Sequence, residues 1–221
     1  MSNATIASSD GVSLETILTM APDAIGSIVL CHPHPQHGGT MRAPMLDAIA
    51  THAAKHRLDT LRFNFRGIGD STGSYGAGIG EVDDVDASVA WMNDRGMPVI
   101  GIAGWSFGAA VALNWMAMTA SALSYVGIAP PVDSPLTPAL PTPQQLMPAR
   151  RTFIVGDRDQ FLDADELEAY AIEIGASTIR YPTADHFFVL RHDRLAADVV
   201  NALMPGPRDP LDGSEATVTH L

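Results

Sequence analysis

Between the apolar run Pro98-Val99-Ile100-Gly101-Ile102-Ala103 and the helix-forming stretch Ala109-Ala110-Val111-Ala112-Leu113-Asn114-Trp115-Met116, the chain has only Gly104-Trp105-Ser106-Phe107-Gly108 in which to turn. The first run reads as a buried strand and the second as a helix, so the pentapeptide is a strand-to-helix reversal with no linker. A serine in so sharp a turn is forced into a strained backbone conformation, and small neighbours are needed where the turn closes on itself. Gly104 and Gly108 supply that room, and the turn pushes the Ser106 hydroxyl out above the sheet. The spacing predicts a nucleophile elbow.

A second segment, Gly69-Asp70-Ser71-Thr72-Gly73, has the same G-x-S-x-G pattern and also follows a strand-like run, Leu61-Arg62-Phe63-Asn64-Phe65. What comes after it is Ser74-Tyr75-Gly76-Ala77-Gly78-Ile79-Gly80, which has no helical periodicity. No following helix could turn N-terminal amides towards a developing oxyanion, so Ser71 is read as a loop residue. Gly67-Ile68-Gly69 with Gly73 also suggests a dinucleotide fingerprint, but that motif opens a helix after the first strand of a βαβ unit. Here it leads into more loop, and a structural turn is expected with no cofactor.

The rest of the chain repeats the strand-then-helix alternation. Strands are predicted over 11–20, Gly26–Cys31, Leu58–Phe65, Val99–Ala103, Tyr125–Ala129, Thr152–Val155 and Thr178–Tyr181. Helices are predicted over Ala43–His56, about Glu81–Asn93, Phe107–Met118 and Ala164–Ile174, with another after His186 through Leu203. Short strands with continuous apolar character, alternating with helices, imply a mostly parallel sheet covered on both faces. Residues 130–150 hold seven prolines, which argues against a regular helical lid. The segment 1–204 is read as one domain, and 205–221, rich in proline, glycine and short polar residues, as a disordered tail.

Charge narrows the partners. The 221 residues carry 13 basic and 25 acidic side chains, a net charge of −12. That balance argues against nucleic acid or an anionic membrane surface as partner, and it says little about a pocket for a small-molecule substrate, where local charge matters more. Oligomeric state is not readable. A single cysteine, Cys31, closes an apolar run and is read as a buried core thiol. No apolar window reaches the roughly 20 residues that span a bilayer and no signal-peptide pattern opens the chain, so the expected location is the cytoplasm.

A serine hydroxyl at neutral pH needs a base within hydrogen-bond reach, and the base needs a carboxylate to fix its tautomer. His186 lies in the loop after the last predicted strand, and Asp157 and Asp159 lie in the loop after the preceding one. In an α/β sheet these loops gather at the carboxyl ends of the strands, and the order Ser, Asp, His fits. Extended backbone would point Asp157 and Asp159 to the same side, so spacing does not choose between them. Asp157 follows Gly156, where a side chain commonly caps its own turn. Asp159 has more reach. The oxyanion needs two donors: one is the N–H of Phe107, after the serine, and the other comes from the loop His32–Met41. Pro33 and Pro35 have no N–H, which leaves the main chain of His34 as the best candidate.

Four segments together identify a family resemblance: His32-Pro33-His34-Pro35-Gln36-His37-Gly38-Gly39-Thr40-Met41, Arg62-Phe63-Asn64-Phe65-Arg66-Gly67, Gly104–Gly108 and Asp185-His186-Phe187-Phe188. The chain resembles the small, lidless bacterial α/β-hydrolases from about Ile28 to Leu203. The resemblance implies the α/β-hydrolase fold, with a mostly parallel sheet of about seven to eight strands, helices on both faces and no sizeable lid domain. It implies a Ser-His-Asp serine hydrolase of esterase type, with Ser106 as nucleophile and His186 as base. The acid in that family stands three positions after the glycine that ends its strand, which is Asp159.

Two other readings use the same residues. His32, His34 and His37 approximate the zinc motif H-x-H-x-D-H of metal-dependent hydrolases. Gln36 stands where that motif needs aspartate, and a neutral amide is a weak ligand. Hydrogen bonding of His32 and His37 within their loop is the expectation, with no metal. The third reading is a catalytically inert binding module on the same fold, against which an intact triad argues. The expected reaction is hydrolysis of carboxylic esters with short or flexible acyl groups through an acyl-enzyme.

Overall fold

The computed structural model describes residues 2–204. The expected tail from 205 onward lies outside the described residues. In chain order the strands are β1 (Ser2–Ala7), β2 (Ser13–Thr19), β3 (Gly26–Cys31), β4 (Leu58–Phe63), β5 (Val99–Trp105), β6 (Ser124–Ile128), β7 (Arg151–Gly156) and β8 (Ser177–Tyr181). The helices are α1 (Pro44–Lys55), α2 (Glu81–Asp94), α3 (Phe107–Thr119), α4 (Ala164–Glu173) and α5 (His192–Leu203). The strands form one eight-stranded sheet in the order β1-β2-β4-β3-β5-β6-β7-β8. β2 runs antiparallel to β1 and β4, and every pair from β4 to β8 is parallel.

The sheet separates two apolar layers because side chains alternate along each strand. In β3, Val29 and Cys31 face the layer that α2, α3 and α4 cover, while Ile28 and Leu30 face the layer under α1 and α5. β7 does the same with Phe153 and Val155 on one side and Ile154 on the other. These strands are buried end to end, which is why they read as continuous apolar runs. α3 lies among them and is apolar on almost every side, as a helix deep in a core must be. Burial drives the Cys31 thiol far above its usual range, so it stays a neutral core side chain.

The structure differs from the sequence reading at both ends of the sheet. β1 is an added strand, paired with β2 along its whole length. β2 is shorter than 11–20 because the chain turns at Gly11, whose φ is 86°. α5 begins only at His192, since residues 183–190 form a tight loop with positive φ at Thr183, Phe188 and Leu190. No helix among the described residues is long and apolar enough to cross a membrane.

Candidate active site

Ser106 joins β5 to α3 with φ 53° and ψ −115°, a conformation that costs about 1–3 kcal/mol for a residue with a Cβ. Three features hold it there. Its own N–H donates to the Ile128 carbonyl at 2.7 Å, and its carbonyl accepts from Ala109 and Ala110 in the first turn of α3. A Cβ on Gly104 would meet the Ala109 amide nitrogen at 2.5 Å, and one on Gly108 would collide with the carbonyls of Cys31 and His32. Both glycines of the pentapeptide are therefore required by backbone approach, one within the turn and one across to β3.

His186 lies past the end of β8. Its Nδ1 is 2.8 Å from Asp159 Oδ2, and the side chains of the pair are 5% and 0% exposed. With the carboxylate accepting at Nδ1, the neutral ring carries its proton there and its lone pair at Nε2. Asp159 Oδ1 accepts from the Phe161 N–H at 2.9 Å, so both carboxylate oxygens are fixed. Asp157 is elsewhere, bonded to Arg180 Nε at 2.7 Å. The expectation that both aspartates point to one side fails because the backbone is not extended between them. The Asp159 N–H closes a turn on the Gly156 carbonyl at 3.1 Å and reverses the direction of the side chain. Nor does Asp157 cap its own turn; Arg180 of β8 takes its carboxylate.

Ser106 and His186 line a cavity of about 430 Å³ together with His34, Trp105, Phe161 and Phe187. No hydrogen bond joins the Ser106 hydroxyl to the His186 ring; such bonds are often long before substrate arrives and tighten in the complex. Among the described residues neither the His34 nor the Phe107 amide has a protein acceptor. The His34 carbonyl is turned the other way, accepting from His37 and Gly39 at 3.1 and 3.0 Å.

The histidine-rich loop is braced as the sequence predicted for one residue and differently for another. His32 is fully buried, with Nδ1 2.6 Å from the Pro33 carbonyl and Nε2 accepting the Phe65 N–H at 3.0 Å. Both ring nitrogens are used, which leaves none for a metal. Burial pushes its pKa down to about 4. The His37 ring makes no hydrogen bond within the loop, where only its main-chain N–H is engaged, and instead stacks on the His34 ring at 4.3 Å. His34 Nδ1 accepts the Gln36 N–H, and burial followed by repulsion from His37 holds the ring below its ordinary pKa. No group of three or more metal-ligating side chains occurs among the described residues.

Ser71 is buried, donates to the Asn64 carbonyl at 2.8 Å and accepts the Glu15 N–H at 2.9 Å. It pins a loop to β2 and lies apart from the cavity. The bracing roles of three residues were not readable from the sequence. Asn64 accepts from Met41 N–H, Arg66 pairs with buried Asp84, and Glu81 accepts from the amides of Gly76 and Gly78. The first turn of α2 is acidic, as the helix dipole favours, and its buried carboxylates Glu81 and Asp84 hold the loop before it. Trp105 and Phe187, beside Ser106 and His186 in sequence, also form the cavity wall, and adjacency was the available signal.

No family model matches the chain. An uncharacterized protein of Rickettsia prowazekii (strain Madrid E) is 30% identical over 184 residues, covering 76% of this chain and 74% of that protein. The structure of an α/β serine hydrolase homologue from Coxiella burnetii superposes with a TM-score of 0.80 at 30% identity, over 92% of this chain and 97% of that one. A serine hydrolase without lid from Xanthomonas campestris gives a TM-score of 0.79 at 27% identity, over 93% and 96%.

Proposed function

This chain belongs to the α/β serine hydrolase family, and from that premise we propose that it cleaves carboxylic esters through an acyl-enzyme, with Ser106, His186 and Asp159 as its triad. One observation carries the reading: Ser106 is held at φ 53° at the head of α3, on the same cavity as a histidine whose Nδ1 is tied to a buried carboxylate.

In the first half-reaction His186 Nε2 takes the hydroxyl proton as Ser106 Oγ bonds to the carbonyl carbon. The negative charge gathers on the carbonyl oxygen, within reach of the His34 and Phe107 amides, each donor of this kind being worth about 10²–10³ in turnover. His186 then gives its proton to the alcohol oxygen, the carbon–oxygen bond breaks and the alcohol leaves. Water enters, loses a proton to His186 and attacks the acyl carbon. Collapse returns the proton to Ser106 Oγ and frees the acid. Asp159 stabilises the imidazolium in both halves and is not itself protonated. A cavity of about 430 Å³ is near the lower end for ligand sites, which suits small substrates.

Fluorophosphonate labelling with peptide mapping tests this directly. Label is expected on Ser106, and Ser106→Ala should lower ester turnover by about 10⁴–10⁶. Ser71→Ala should keep turnover and lose stability, since it frees two buried backbone groups. Label on Ser71, or equal loss in both variants, refutes the assignment.

A further inference from the structure

His186 is walled by aromatic rings on the side open to solvent. The Phe161 ring lies 4.9 Å from the imidazole and the Phe187 ring 5.7 Å, both edge to face. The two phenyl rings are 6.2 Å apart at 82°, and Trp105 meets Phe187 at 6.0 Å and 86°. All three line the cavity that holds Ser106. Phe161 is nevertheless 56% exposed and Phe187 44% exposed. Apolar rings left in water around a reactive centre are surface that a ligand can cover. The cavity's one arginine, Arg42, is paired with Glu15 at 3.0 Å and makes no ring contact with Phe161, Phe187 or Trp105.

The chemistry decides which part of an ester meets these rings. The carbonyl oxygen is fixed at the His34 and Phe107 amides, and the departing oxygen has to lie where His186 can protonate it. Whatever is attached to that oxygen therefore sits beside His186. We propose that Phe161, Phe187 and Trp105 form a site for the alcohol half of the substrate, and that this half carries an aromatic ring. The inference rests on the ester-hydrolase reading and deepens it. Ring centroids about 4.5–7 Å apart with edge-to-face packing are the arrangement aromatic rings prefer, and an incoming benzyl ring extends the cluster by one member. As the bond between acyl carbon and alcohol oxygen breaks, the acyl group stays on Ser106, the His186 proton passes to the oxygen, and a neutral aromatic alcohol leaves.

The test compares benzyl acetate with methyl acetate, which share an acyl group and have alcohols of similar acidity, and methyl benzoate with methyl acetate as the acyl control. Wild-type protein is expected to show kcat/KM about tenfold higher for benzyl than for methyl acetate, mostly through KM. In F161A/F187A that ratio should fall towards one. Both side chains are largely exposed, so folding should survive, and single Phe161→Leu and Phe187→Leu variants give intermediate ratios if size alone matters less than the ring. A wild-type ratio near one, a ratio unchanged in the double variant, or a preference that follows benzoate instead of benzyl overturns the inference. Fluorophosphonate labelling of the same samples separates the two readings: label on Ser106 without a benzyl preference defeats only the alcohol site, while absence of both label and hydrolysis defeats the ester reading with it.

Discussion

Asp157 and Asp159 leave the same strand two positions apart and end on different partners, an arginine and a histidine. The strand end was legible in the sequence, since continuous apolar runs and the glycine after them mark it. Which aspartate faces His186 was not legible from spacing, because the answer depends on one hydrogen bond, from Asp159 N–H to Gly156 carbonyl, that folds the chain back. The family pattern supplied what periodicity could not. Asp159→Asn should lower turnover by up to about 10⁴, because an amide that donates to Nδ1 moves the ring proton to Nε2 and removes the base. Asp157→Asn should leave turnover near wild type, since it loosens only a half-exposed contact with an arginine that keeps Asp165 and Glu168 as partners. Steady-state kinetics on both variants, each checked by circular dichroism, decides the matter. A dead Asp157→Asn beside an active Asp159→Asn reverses the assignment.

Among the described elements, β3 to β8 and α1 to α4 lie within a few residues of where the sequence pattern puts them, while α5 starts later than expected. β1 was missed because an edge strand has one face in water and no continuous apolar run to announce it. The turn between β5 and α3 was the most legible part, and it also gives the sharpest prediction at this scale. Replacing a helical glycine by alanine ordinarily gains about 1 kcal/mol. At Gly108 the new methyl would meet the backbone carbonyls of Cys31 and His32, neither of which can rotate away. The β3 end and the α3 start have to separate, and overpacking of this kind costs about 1–3 kcal/mol. Gly108→Ala should therefore unfold at lower urea concentration despite its helix propensity. It should also lose turnover, because the same shift moves the Phe107 amide. A variant as stable and active as wild type would show that α3 has slack the structure does not reveal.

On the scale of the whole molecule, the loops at the carboxyl edge of the sheet are tied to one another by buried polar groups, and that makes stability depend on pH. His32 is the clearest case. Its Nε2 accepts the Phe65 N–H and its Nδ1 donates to the Pro33 carbonyl, so a second ring proton would break the tie to Phe65 and place a charge in the core. Burial accordingly lowers its pKa from 6.5 to about 4. Above about pH 6.5 the ring is neutral whether the chain is folded or not, and its full contribution is present. As pH falls from there towards 4, the unfolded chain takes the proton and the folded chain does not, so stability is lost through that window. The loss approaches about 1.4 kcal/mol per pH unit and totals about 3 kcal/mol. Carboxylates add their own pH dependence, Asp10 and Glu15 being held down by hydrogen bonds and Asp84 driven up by burial, so the wild-type curve alone does not isolate the histidine. The difference between wild type and His32→Gln does, because the other groups are common to both. The variant should be less stable at pH 7.5, where it forfeits the neutral ring's packing and hydrogen bonds, yet the gap should narrow by about 3 kcal/mol as pH falls from 6.5 to 4. Urea unfolding at half-unit steps of pH measures it. Parallel curves across that range would mean that the folded protein admits a proton to His32 without cost, and the buried tie between the histidine loop and Phe65 would not be the constraint its geometry describes.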